Sequence, residues 1–109
     1  MPANTNTIVP ETTTGVEYVV VSDEDLERPY RVIIENDDVT PMDFVVLVLL
    51  TIFELTPDRA QAVMLEAHNS GHAYVCSLPY EDARDRVYTA HSVARASGYP
   101  LSFYLEPEG

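Results

Sequence analysis

Apolar and polar positions alternate with period two from Tyr30 to Glu35, placing Tyr30, Val32 and Ile34 on one face among β-branched neighbours, which predicts a strand. Asn36-Asp37-Asp38-Val39 interrupts that pattern with turn-forming residues. Thr40-Pro41-Met42-Asp43 then offers a hydroxyl at the N-cap, a proline at the first helical position and an acid in the first turn, so a helix is expected from about 41 to 54. Its Phe44, Val45, Val46, Leu47, Val48, Leu49, Leu50, Ile52 and Phe53 make it apolar nearly all round. Such a helix is expected to be covered on most sides and to form the centre of the core.

The same punctuation recurs at Thr56-Pro57-Asp58, opening a second helix whose Ala60, Val63, Met64 and Ala67 fall at i, i+3, i+4 and i+7, with Gly71 as its left-handed terminator. His72 to Leu78 reads as a strand. Pro79 begins a third helix, with Ala83, Val87, Ala90 and Ala94 on one stripe and Gly98 as its stop, and Leu101, Phe103 and Leu105 alternate in a last strand. The order βααβαβ predicts a small α/β domain of the α+β kind over 28–109: a three-stranded, mainly antiparallel sheet packed against three helices.

The segment 1–27 is different. It is Thr-rich and carries Glu11, Glu17, Asp23, Glu24, Asp25 and Glu27 without a single basic residue. Its apolar content is too small to offset a chain-ordering entropy of about 1–2 kcal/mol per residue, so it is expected to be a flexible acidic extension. The alternative is an added edge strand at 18–21.

Over 109 residues there are 18 acidic and 6 basic side chains, giving a net charge of −12. One domain plus a tail is the largest architecture this length supports. All six basic residues are arginines, too few and too dispersed to track a phosphate backbone, so nucleic acid is not an expected partner. The longest apolar run, Phe44 to Leu50, falls far short of the roughly 18 residues of a membrane span. Neither a secretion signal nor a transit peptide is recognisable at the start, and the lone Cys76 cannot form an internal disulfide, so a soluble, cytoplasmic monomer is expected.

The densest group of polar residues that the fold does not require is Asn36, Asp37 and Asp38. Turn formation alone accounts for such residues, and acids before a helix favour its dipole by about 0.3–1 kcal/mol. His68, on or beside the buried stripe of the second helix, changes the picture, because if that helix packs beside the strand-to-helix turn His68 reaches that cluster and borders an apolar pocket made from Met42, Val45 and Met64. Methionines adapt to varied shapes, which suits a site taking several large apolar groups. No nucleophile in a recognisable setting accompanies these residues, so catalysis by a nucleophile is not expected. A metal site from Asp37, Asp38 and His68 is possible on ligand type; His68 and His72 straddle Gly71, which removes the helical i, i+4 geometry of a zinc pair. His91, on the third helix, is expected to be a surface or half-buried structural residue.

Three ordered blocks carry a resemblance: Tyr30-Arg31-Val32-Ile33-Ile34-Glu35-Asn36-Asp37-Asp38-Val39-Thr40-Pro41-Met42-Asp43-Phe44-Val45, then Arg59 to Ala73 with Met64-Leu65-Glu66-Ala67-His68 at its centre, then Tyr99-Pro100-Leu101. Together, over about 29–106, they resemble the ClpS adaptor family. Proteins of that family bind N-degrons, polypeptides with a large apolar first residue (Phe, Tyr, Trp, Leu), and deliver them to a Clp-family AAA+ unfoldase for degradation. The resemblance therefore implies an adaptor without catalytic activity or cofactor. It implies that Asn36, Asp38 and His68 contact the free α-amino group and first peptide unit, with Asp37 supporting that rim. Thr40, Met42, Val45, Met64, Ala67 and Leu101 would surround the first side chain, Met42 acting as the gate against β-branched residues. Glu81 and Arg86 match positions that touch the N-terminal domain of a ClpA- or ClpC-like unfoldase, and the extension 1–27 matches one used in hand-over. Val39 stands where the family often carries an aromatic residue and Ala67 where valine is common, a smaller wall that enlarges the cavity. Two other readings stay open: a metal-dependent hydrolase using Asp37, Asp38 and His68, and an unfoldase-binding regulator that ignores N-degrons.

Overall fold

The structure, a computed structural model, describes residues 6–10, 18–22 and 28–108. The flexible extension expected over 1–27 lies for the most part outside the described residues. Two stretches of it are described, β1 (Asn6–Pro10) and β2 (Tyr18–Ser22), and they pair antiparallel with one another, Asn6 opposite Ser22 and Pro10 opposite Tyr18. The edge strand considered at 18–21 is thus a strand, but its partner is β1 and not the main sheet. Ile8-Val9 and Val19-Val20-Val21 supply the β-branched residues that favour such a ladder.

The main sheet has the order β4-β3-β5, with β3 (Pro29–Glu35) central and antiparallel to both β4 (His72–Pro79) and β5 (Ser102–Pro107). Three helices, α1 (Met42–Thr51), α2 (Pro57–Ser70) and α3 (Tyr80–Ala96), complete the expected βααβαβ order. Val32 and Ile34 face these helices and are fully buried. Ile33 is buried as well, on the opposite face, between the cross-strand neighbours Tyr74 and Tyr104. On β4 the register slips, because Val32 pairs with Cys76 and Ile33 with Tyr74. The extra residue, Val75, turns into the core beside Ala73.

α2 begins and ends as its sequence predicts: the Thr56 hydroxyl accepts the Arg59 N–H at 3.2 Å with Pro57 following, and Gly71 adopts φ 93°. α1 departs from expectation at both ends. Its N-cap is Pro41 in an extended conformation with no side-chain cap, while the Thr40 hydroxyl donates to Asp37 at 2.9 Å. The cap position has moved one residue on, to Pro41, whose side chain has no oxygen to offer the first turn. At the other end, the helix ends at Thr51 with Ile52 as its cap, the Ile52 N–H still reaching the Val48 carbonyl, and Glu54 takes φ 58°. The Ile52 carbonyl is there taken by Arg86 of α3 at 2.8 Å, which fixes the exit in place of another helical turn. Along its length α1 is covered on most sides, as its composition predicts, with Phe44, Val46 and Leu50 half-buried against the core. It packs on α2 and buries Val45, Val48 and Leu49, but Leu47 remains 53% exposed.

The stripe Ala83, Val87, Ala90 and Ala94 of α3 is buried as expected. Beside it, half-buried His91 accepts the Phe103 N–H through Nε2 at 2.9 Å. Burial, followed by the nearby Arg95 charge, holds the His91 pKa below the ordinary histidine value. An imidazole with a depressed folded pKa contributes fully above its unfolded value of about 6.5, and that contribution is lost as the pH falls through it. Lowering the pH from about 8 to about 5 is therefore expected to lower the Tm of the native chain relative to His91→Gln, whose amide does not titrate. Thermal melts of both proteins across that range measure the difference, and parallel profiles would contradict it.

Candidate functional site

Where β3 runs out, the Asn36 N–H donates to the Gly71 carbonyl at 2.9 Å. This bond laces the segment 36–41 to the end of α2, whose last turn carries His68. Within the segment, Asp37 is the organiser: its Oδ1 accepts the N–H groups of Val39 at 2.8 Å and Thr40 at 2.7 Å, and its Oδ2 accepts the Thr40 hydroxyl. Burial works against ionising this carboxyl, but the two backbone bonds, the hydroxyl and the charge of Arg95 outweigh it and hold the pKa below the usual value. With Asp37 turned inward, its neighbours Asn36 and Asp38 stay exposed.

Behind this loop lies a cavity of about 310 Å³. Ile34 closes the β3 side, Met42 and Val45 come from α1, and Met64, Ala67 and His68, at i, i+3 and i+4, come from one face of α2. Leu101, just ahead of β5, forms the remaining wall, and the loop contributes Asn36, Asp37, Asp38, Val39 and Thr40. Exposure separates floor from rim. Ile34, Val45, Met64, Ala67 and Leu101 are buried, whereas Asn36, Asp38, Val39, Met42 and His68 are exposed. The lining includes the carboxylates Glu35, Asp37 and Asp38 and no arginine. An apolar hollow entered past acceptors of negative charge is suited to a ligand that couples a cationic head to one apolar group.

All ten residues expected at a binding pocket, Asn36, Asp37, Asp38, Thr40, Met42, Val45, Met64, Ala67, His68 and Leu101, line this one cavity. Ile34, Glu35 and Pro41 line it too and were not among those expected. Ile34 was within reach of sequence reasoning, being the last inward position of β3 before the turn. Of the residues considered for a metal site, Asp37 has both oxygens engaged with Val39 and Thr40, and among the described residues no group of three or more His, Cys, Asp or Glu side chains is placed to hold a metal ion.

Glu81 and Arg86 lie elsewhere, on the first turns of α3. Glu81 is exposed. Arg86 is committed within the fold, donating to Asp82 at 3.1 Å, to Glu54 at 3.2 Å and to the Ile52 carbonyl. These bonds, with the Asp82 carboxylate foremost, raise its pKa further above that of a free guanidinium.

A family model described as "ATP-dependent Clp protease adaptor protein ClpS" matches residues 25–104. The chain is 38% identical over 100 residues to the ATP-dependent Clp protease adapter protein ClpS 2 of Mesorhizobium japonicum, spanning 92% of this chain and 99% of that one. It is 45% identical over 85 residues to ClpS 1 of Rhodopseudomonas palustris, spanning 76% and 82%. Among solved structures it is similar to Agrobacterium tumefaciens ClpS2 bound to L-phenylalaninamide, with a TM-score of 0.72 and 35% identity, covering 75% of this chain and 99% of that chain.

Removing the organising carboxylate tests the construction of the rim. Asp37→Ala is expected to cost about 1–2 kcal/mol in urea unfolding at neutral pH, for three lost bonds at a half-exposed site. Because the folded carboxyl is held below its ordinary value near 3.9, this contribution is complete above that value and is lost as the pH falls through the folded one. The gap between the two proteins is therefore expected to close on acidification to about pH 3.

Proposed function

The chain belongs to the ClpS family of adaptors of the ATP-dependent Clp protease, and on that premise we propose that its cavity captures the first residue of N-degron polypeptides for delivery to a Clp AAA+ unfoldase. Asn36, Asp38 and His68 receive the α-amino group and first peptide unit, and Asp37 holds the rim in shape. Thr40, Met42, Val45, Met64, Ala67 and Leu101 enclose the first side chain, with Met42 as the gate against β-branched residues. The observation that carries this reading is the 310 Å³ cavity with a buried apolar floor and an exposed rim of carboxylate, amide and imidazole. The ligand of the Agrobacterium relative supports it, since phenylalaninamide unites a free α-amine, an apolar side chain and an amide in place of a carboxylate, as the first residue of a peptide does.

Magnitudes explain why both halves of the cavity are needed. An α-amine has a pKa of about 7.7–8.0, so at neutral pH it is mostly an ammonium with three donors to satisfy. Burying one large apolar side chain contributes about 1.5–3 kcal/mol, whereas micromolar affinity requires roughly 8 kcal/mol. The rim must supply much of the remainder. Acetylating the amine removes the charge and strands the acceptors, at about 1–3 kcal/mol each, which separates a chain start from an internal segment. The net charge of −12 adds a weak attraction for cationic chain ends over a Debye length of about 8 Å.

On the partner side, Glu81 and Arg86 are the contacts for a ClpA- or ClpC-like N-terminal domain, Glu81 from an exposed position and Arg86 from one held by its bonds to the Ile52 carbonyl and Glu54. The adaptor acts as a cytoplasmic monomer and performs no chemistry of its own. No helix among the described residues is long and apolar enough to cross a membrane.

Titration with a Phe-first peptide is expected to give at least about tenfold tighter binding than the same peptide acetylated or begun with Ile, and equal binding of all three would overturn the proposal. His68→Ala and Asp38→Ala are expected to lose that binding with little change in Tm. Glu81→Ala is expected to weaken unfoldase binding at unchanged Tm, whereas Arg86→Ala lowers the Tm as well, because it removes the part-buried charged hydrogen bond to the Ile52 carbonyl.

A further inference from the structure

The wall formed by Leu101 is held in an unusual way. Leu101 precedes the first rung of the β3–β5 ladder, which begins with Glu35 opposite Ser102, so strand pairing does not fix it. Pro100, before it, has no N–H to donate. Instead, the backbone of 99–103 is grasped at every second residue from α3. Arg95 Nη1 donates to the Tyr99 carbonyl at 2.9 Å and to the Leu101 carbonyl at 2.8 Å, and His91 Nε2 accepts the Phe103 N–H at 2.9 Å. Among the described residues β5 has no strand on its other side, and these side chains stand in for one. Neither lines the cavity, whereas Leu101 does and is fully buried.

We propose that His91 and Arg95, one helical turn apart on α3, are positioning residues that set the Leu101 wall and with it the cavity's preference among large apolar first residues. The inference rests on the N-degron reading and adds to it the device that sets specificity. The mechanism is geometric. In a close-packed hollow, a shift of one wall by a methyl's width changes which side chain fills it, because a gap forfeits contact and an overlap forces strain. The rim is built from other elements, so recognition of the amine and selection of the side chain are separable. Arg95 also stabilises the Asp37 carboxylate electrostatically, which makes His91 the cleaner of the two to perturb.

The test compares two loss variants, His91→Leu and Arg95→Met, with two conservative ones, His91→Gln, which keeps an acceptor, and Arg95→Lys, whose single cationic donor can serve both carbonyls. Dissociation constants are measured for Phe-first, Leu-first, Trp-first and acetylated Phe-first peptides, and amide exchange is followed at Phe103. In the loss variants the Phe-to-Leu and Phe-to-Trp affinity ratios are expected to shift by about fivefold. Exchange at Phe103 is expected to quicken in His91→Leu, its acetylation penalty staying at the native value, and the conservative variants are expected to keep native ratios. Unchanged ratios in folded loss variants, or equal shifts in the conservative ones, overturn the proposal. Global unfolding of both loss variants also overturns it, by assigning these side chains to the whole fold. A native protein indifferent to the first residue instead overturns the N-degron reading, so the two failures are distinct.

Discussion

The site depends on one backbone bond between segments far apart in sequence, the Asn36 N–H to the Gly71 carbonyl. Strand β3 and helix α2 each end beside the other, and the bond joins their ends in the same step that starts the β3–β4 ladder, with Glu35 opposite His72. The Gly71 N–H in turn caps α2 on the Ala67 carbonyl at 2.8 Å. Because His68 sits in that last turn and Asn36 follows the strand directly, registering the two ends also brings imidazole, amide and carboxylates to one opening. No separate interaction among those polar side chains is needed to assemble them. That leaves the exposed ones free to bind a ligand.

Around that joint, tasks are divided between residues of similar chemistry. Of the two adjacent aspartates, Asp37 is spent on the loop's own backbone while Asp38 stays exposed at the rim. Of the arginines on α3, Arg86 secures the exit of α1 and Arg95 the approach to β5. Aromatic contacts reinforce both connections: Phe44 of α1 meets Tyr99 with ring centroids 4.8 Å apart, and Phe53 meets Phe103 at 5.0 Å. The walls of the cavity are thus tied to α3, a helix that contributes nothing to its lining.

Local signals were legible wherever a residue's effect is confined to its neighbours. The Thr56-Pro57 cap, the Gly71 terminator, the alanine stripe of α3 and the alternation in β3 all follow from backbone geometry and periodicity. Thr40 could not be read that way, since whether it or Pro41 is the N-cap depends on how Asp37 holds the loop. The exposure of Leu47 has a related cause: the sequence gives which faces are apolar, and only the packed neighbours decide which are covered. The pocket residues were recognisable through family resemblance, but the bonds of Arg95 and His91 to 99–103 join side chains to backbone groups, which leave no trace in residue type.

The bend at Gly71 sets an unusual condition on mutation. A Cβ built there meets no atom within 4 Å, and φ is 93°. The demand on this position is therefore torsional and not steric. Volume is irrelevant to it, and what an incoming residue must supply is tolerance of the left-handed quadrant, which asparagine has in some measure and β-branched residues lack. A selection experiment at position 71 would accordingly sort amino acids by handedness of backbone preference, with bulk playing almost no part.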